Sequence, residues 1–217
     1  MVGDVTAEQL AALPLRERKK ALTRTAIVRT AQRLFEERGF DNVTVAEIAD
    51  AANVSVKTLF VYFRAKEDLA FADNRLIDEI IAALAARRPG TTPAEAVAGE
   101  LAAQIRSQDD PAAGLEGFHR GYGESAAIRS GLLRLWAEYE DRITAFLAAE
   151  AGAEPSPAMR LHAMQLVAMP RSLTTSEVRE LVAGLSPAQA RTALEQWLTD
   201  AARSVHPAGQ GSPNGDR

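Results

Sequence analysis

Apolar residues along the chain recur at intervals of three and four rather than two, with alanine frequent among them, so the pattern predicts helices and only weak strand signals. Capping chemistry marks where the helices begin. Thr44 with Glu47 makes a capping-box pattern ahead of Val45, Ile48, Ala49 and Ala52. Thr92-Pro93 with Glu95, Ser156-Pro157, and Ser186-Pro187 with Gln189 each put a capping side chain before proline at the first helical position, and Asp110-Pro111 is a further start. Gly39, Gly90 and Gly184 mark stops. The predicted helices are 23–38, 45–52, 55–63, 66–87, 93–108, 111–122, 124–152, 157–169, 175–183 and 187–205. Pro170, which lacks a donor and crowds the preceding turn, predicts a break or kink. The first dozen residues and the Pro-, Gly-, Ser- and Asn-rich tail 206–217 are expected to be disordered.

Between 44 and 63 two short helices flank Ala52-Asn53-Val54, the spacing of a helix-turn-helix. Asn53 is the residue there suited to positive φ, and Ser55 is placed to cap the second helix. Ile48, Ala49, Val54, Leu59 and Phe63 are expected to pack on Ile27, Ala31, Leu34 and Phe35 of the first helix. That leaves Lys57, Thr58, Val61 and Tyr62 outward, on a face able to enter a DNA major groove. Helical spacing alone would also let Val56 and Phe60 join the core as an i, i+4 pair.

Charge adds to this reading. The chain of 217 residues carries a net charge of -4, which by itself argues against DNA. From Leu15 to Lys66, however, 11 basic residues face 6 acidic ones, whereas from Glu67 onward 14 arginines face 21 acids. A basic N-terminal third beside an acidic remainder suits a module that meets phosphate while its neighbour stays off it. The length allows one large domain or two small ones, and 47% apolar with 25% charged residues fits a folded, soluble protein. The absence of cysteine excludes disulfides and thiolate metal sites and fits a cytoplasmic location. No apolar run approaches the roughly 18 residues of a membrane span, and residues 1–15 lack the basic and apolar regions of a signal peptide.

The run 25–69 resembles the DNA-binding domain of the tetracycline-repressor (TetR) family. The resemblance rests on Ala31, Leu34 and Phe35 ending at Gly39-Phe40; Thr44-Val45 with Ile48-Ala49; Val54-Ser55 with Thr58-Leu59-Phe60 and Tyr62-Phe63; and Lys66-Glu67 with Leu69. It implies an all-α fold with an N-terminal three-helix helix-turn-helix domain and a C-terminal helical ligand-binding and dimerisation domain. The expected organisation is a flexible basic arm 1–20, a DNA-binding domain 21–66, a connecting helix 67–88, a ligand-binding and dimerisation domain 89–205 and the tail 206–217. The implied partners are double-stranded, pseudo-palindromic operator DNA, a second copy of the chain and a small apolar or amphipathic effector, with no membrane. The implied activity is regulation, usually repression, in which effector binding shifts the helix 66–87 and releases the operator. By the same resemblance Thr44, Thr58, Tyr62 and Lys66 match positions that bind phosphate and set register, and Ser55 is counted with the DNA-binding residues. Val56, Lys57, Phe60 and Val61 match positions facing base edges, Lys57 towards guanine and the apolar three towards thymine methyls. Arg16 to Lys20 resembles the basic arm that enters the minor groove in some members. The chain departs from the family's common pattern in having Asn53 where glycine is frequent and Phe60 where tyrosine is frequent, which removes a hydroxyl there.

Beyond residue 69 the signals weaken. Phe118, Tyr122, Trp136, Tyr139, Arg142 and Met164 are candidates to line an effector pocket, with ordinary core packing the competing reading for each. Leu194, Trp197, Leu198 and Ala201 form an apolar stripe, either core or the dimer interface that the resemblance places on the final helices. His119 and His162 lack a second ligand at metal spacing, so no metal or cofactor is expected. A helical enzyme is one alternative, but no nucleophile elbow, phosphate loop or catalytic grouping can be placed. The other is a helical interaction protein that does not use DNA, which the intact Thr58, Tyr62 and Lys66 argue against.

Overall fold

The computed structural model describes residues 14–72, 75–123 and 125–205. Among these it has eleven α-helices, one 3-10 turn (Phe40–Asn42) and no strand. The helices are α1 (Leu15–Arg38), α2 (Val45–Ala51), α3 (Val56–Tyr62), α4 (Lys66–Ala70), α5 (Leu76–Ala85), α6 (Pro93–Arg106), α7 (Pro111–Tyr122), α8 (Ala126–Ala151), α9 (Pro157–Ser172), α10 (Ser176–Val182) and α11 (Pro187–Ser204). The expectations for the first dozen residues, for the tail 206–217 and for a helix start at 124 lie outside the described residues. No helix among the described residues is long and apolar enough to cross a membrane.

The chain forms two compact units: Met1–Arg75 with Gly117–Leu132, and Leu76–Glu116 with Leu133–Arg217. These bounds differ from the expected 21–66, 67–88 and 89–205, because a stretch from the middle of the chain completes the first unit. Its core joins Ile27, Val28, Ala31, Leu34 and Phe35 of α1 to Ile48, Ala49, Leu59, Phe63 and Leu69, and then to Tyr122 and Ile128. The Tyr122 ring meets Phe35 edge-on at 6.0 Å, and Phe118 lies 5.4 Å from Tyr122. Phe118 and Tyr122, expected in an effector pocket, therefore pack into the helix-turn-helix unit. Gly121 permits the approach: a Cβ there would sit 3.1 Å from the Phe35 carbonyl oxygen. The buried Ser125 donates to Asp41 Oδ1 at 2.9 Å.

Two helix ends differ from expectation. Leu15 to Lys20 belongs to α1 rather than to a flexible arm, so the helix starts eight residues before the expected 23. This stretch has no apolar stripe, but arginine, lysine, leucine and glutamate are good helix formers and Glu17 sits favourably in the first turn. The expected helix 66–87 is two helices, α4 and α5. Beyond Ala70 the Phe71 ring lies where a Gly131 side chain would stand, and the Ala72 carbonyl accepts from the Arg24 guanidinium at 2.9 Å.

In the second unit α6 is central, packing along α11, α5 and α9. Leu194 and Leu198, expected at a dimer interface, are 1% exposed and belong to the core of their own chain; Trp197 and Ala201 remain half-buried. The Tyr139 hydroxyl bonds the Ile77 backbone in the first turn of α5, and burial pushes its pKa above the ordinary phenolic range. Trp136 packs edge-on against Tyr139 at 5.3 Å, and Arg142 pairs with Asp78 Oδ1 at 2.6 Å. Tyr139 and Arg142 thus anchor α5, Trp136 packs on Tyr139, and Met164 is exposed, so the structure does not support these four as a pocket lining. Pro170 does not end its helix: α9 runs two residues further, to Ser172, whose hydroxyl donates to the Ala168 and Met169 carbonyls, both at 2.8 Å. Proline removes one backbone bond, its own N–H to the Leu166 carbonyl, and only two helical residues follow it, so little of α9 depends on that turn.

Candidate nucleic-acid interface

Helix α3 is seven residues long, too short to persist alone, so its geometry depends on its caps and its anchor. Ser55 caps it: the Thr58 N–H donates to Ser55 Oγ at 3.0 Å, and the two hydroxyls lie 2.8 Å apart. Leu59 is fully buried beneath it, a burial that stabilises by roughly 1.5–3 kcal/mol. The turn before it works as expected: Asn53 has φ 54°, and the Val54 N–H reaches back to the Ala49 carbonyl at 2.9 Å. Asn53 is the only non-glycine residue with positive φ among the described residues.

The opposite side of α3 faces out. Val56, Phe60 and Val61 are 41%, 50% and 72% exposed, and Lys57 is exposed beside them. This excludes the core alternative for Val56 and Phe60. With residues four apart lying on one side of a helix, 56 and 60 form one row and 57 and 61 the next. Thr58 and Tyr62 are half-buried at the flank, with Tyr62 6.4 Å from the Phe63 ring.

Helix α2 is fixed with equal care. Thr44 Oγ1 donates to Glu47 Oε2 at 2.7 Å and accepts from the Glu47 N–H at 3.2 Å, while the Thr44 N–H donates to Glu47 Oε2 at 2.8 Å. Arg38, at the end of α1, donates to Glu47 Oε1 at 2.7 Å and to the Asn42 carbonyl at 3.2 Å. The Thr44 backbone N–H, then its hydroxyl and Arg38, hold the Glu47 carboxyl down at about 2. Thr44 is exposed, but its single hydroxyl proton is engaged inside the protein.

Lys66 is also engaged internally. Its Nζ donates to the Phe40 and Val43 carbonyls at 2.9 and 3.0 Å and stands 4.1 Å from the centre of the Phe40 ring. This ammonium ties α4 to the chain entering α2, leaving one of its three donors over. The Lys66 ties and the Arg38–Glu47 pair carry no sequence signal, because their spacings fall on no helical period; the Ser125–Asp41 bond, spanning 84 positions, has no local signal at all.

Residues 27–72 match the family model for bacterial regulatory proteins of the tetR family. The chain is 34% identical over 147 residues to the HTH-type transcriptional regulator TcmR of Streptomyces glaucescens, an alignment covering 64% of this chain and 65% of that relative's length. Two solved structures share the fold. NalD of Pseudomonas aeruginosa, the secondary repressor of the MexAB-OprM multidrug efflux pump, has a TM-score of 0.53 at 17% identity, covering 84% of this chain and 96% of NalD. GusR of Salmonella enterica has a TM-score of 0.51 at 20% identity, covering 84% of this chain and 96% of GusR. A capped, outward-facing second helix on the matched 27–72 segment and helices throughout the described remainder agree with these findings: the likeness to bacterial regulatory proteins of the tetR family rests on residues 27–72 and on the stretch shared with TcmR.

Proposed function

We propose that the chain is a cytoplasmic transcriptional regulator that binds duplex operator DNA as a homodimer, each subunit laying α3 in a major groove. One observation carries this reading: a short helix clamped at its cap and on its buried side presents Val56, Lys57, Phe60 and Val61 together to solvent. Lys57 is the base-edge donor, and Ser55, Thr58 and Tyr62 flank the groove face at phosphate level. If the Ser55 hydroxyl donates to Thr58 Oγ1, the Thr58 proton is free for a phosphate oxygen. Thr44 and Lys66 act mainly by fixing the unit. In a symmetric dimer the two α3 helices sit about 34–36 Å apart, one turn of DNA.

The dimer face is assigned to α9 and α11, where Trp197 and Ala201 remain half-buried and Leu161 and Met164 stand exposed. An apolar or amphipathic effector would occupy the C-terminal unit, which has two clefts of ligand size. One, of about 550 Å³, lies between α6 and α11 beside the Arg106–Glu195 pair; the other, of about 490 Å³, lies beside Glu116 and Arg179. Coupling requires the effector to prefer the released state, and ~1–3 kcal/mol would weaken operator binding ~5–150-fold. The test is selection of duplexes from random DNA by the purified full chain, followed by affinity against salt. The expected result is an enriched inverted repeat with a steep salt dependence. A chain that stays monomeric and enriches nothing at moderate salt would refute it.

A further inference from the structure

We infer that operator recognition is carried mainly by thymine methyl groups, with a single hydrogen-bonded guanine contact in each half-site. The inference rests on the DNA-binding reading above and specifies what the duplex must present.

Helix α3 has few polar groups left to offer a duplex. Of its four exposed positions only Lys57 carries a donor, and a lysine is a point charge suited to guanine O6 and N7. The nearest hydroxyls, Ser55 and Thr58, are bonded to each other at 2.8 Å and serve the helix cap, and the one proton left over is the Thr58 donor assigned above to phosphate. Phe60 has no polar atom. Val56, Phe60 and Val61 are three of the ten large apolar side chains exposed among the described residues, gathered on seven residues of helix. Exposed apolar clusters of this kind mark contact surfaces.

The apolar group that a major-groove floor presents to such side chains is the thymine C5 methyl. Set against adenine N6, guanine O6 or cytosine N4, the same side chains would strip water from a polar edge and return no hydrogen bond, which is unfavourable. Attraction and penalty therefore select the same base. Phosphate attraction comes from the basic stretch Leu15 to Lys66, so the face itself can be apolar without loss of general affinity.

The test replaces thymine by deoxyuridine in the selected operator, which removes the methyl and leaves pairing intact. Burial of one methyl group is worth about 0.8 kcal/mol, so each contacted methyl removed should weaken binding about fourfold, and three in one half-site about 60-fold if additive. The deoxyuridine duplex is measured against the full chain and against Phe60→Ala and Val61→Ala, substitutions at exposed positions whose folding is checked by thermal melting. The expected outcome is a loss of tenfold or more for the parent chain and a smaller loss for each variant. A deoxyuridine duplex bound within twofold of the thymine duplex overturns the inference while leaving DNA binding standing. A full penalty that persists in both variants also overturns it, since the methyls are then read elsewhere. Failure of any duplex to be enriched sinks the DNA reading and this inference together.

Discussion

Replacing Lys66 by methionine keeps an unbranched stem of similar length and removes the ammonium that joins α4 to the entrance of α2. The parent side chain makes two charge-assisted bonds, at 2.9 and 3.0 Å, and one contact with the Phe40 ring at 4.1 Å. Bonds of this kind contribute about 1.5–3 kcal/mol each in general, and a cation over an aromatic ring about 0.5–2 kcal/mol. Lys66 is only half-buried, so water replaces part of each interaction. Taking low values and discounting further gives a net loss of about 2–3 kcal/mol, which in a chain of this size lowers Tm by about 5–10 °C. Lys66→Arg should recover part of that loss, since it keeps the charge but not the compact donor geometry. The assay is thermal unfolding by circular dichroism, beside operator affinity as a function of salt. If Lys66 served only as a phosphate contact, Lys66→Met would leave Tm unchanged and lower the salt slope by about 1. That pattern would refute the clamp.

Other substitutions probe the remaining contacts. Asn53→Ala should cost about 1 kcal/mol in a urea titration, because alanine resists the φ of 54°, whereas Asn53→Gly should be near neutral; equal losses would contradict the turn geometry. Leu198→Ala should destabilise by about 2–5 kcal/mol without first weakening dimerisation, because Leu198 is buried within its own chain; loss of the dimer at full monomer stability, seen by sedimentation, would contradict its assignment to the core. Glu47 has a carboxyl held at about 2, below its unfolded value of 4.5. Its contribution is therefore complete above about pH 4.5 and is lost as pH falls towards 2. Stability measured between those limits should fall less steeply in Glu47→Gln than in the parent, and identical slopes would show that the capping carboxylate is not coupled to folding.

The helix-turn-helix was legible because its determinants are local. A capping box spanning four residues, an asparagine at the turn and a serine before α3 each act within about one turn of chain, and the structure reproduces all three. What escaped depends on contacts distant in sequence. Nothing near Phe118 or Tyr122 indicates that they pack around Phe35, and their spacing of four is equally that of a helix lining a pocket. The stripe at Leu194 and Leu198 reads the same whether the chain's own α6 or a second subunit covers it. The α4–α5 interruption follows the seating of Phe71 and Ala72, which helical periodicity does not record. The early start of α1 was missed for the opposite reason: propensity sustains that turn without an apolar face.

In the proposed complex the exposed face of α3 lies against DNA. Val61, 72% exposed, has little to do with folding, so Val61→Glu places a negative charge on that face at almost no cost in stability. Operator affinity of the Val61→Glu chain should fall by about 100-fold or more with Tm unchanged, while the same substitution at the exposed Leu133 of α8 should leave affinity intact. A Val61→Glu chain that binds the operator within about threefold of the parent would contradict the account.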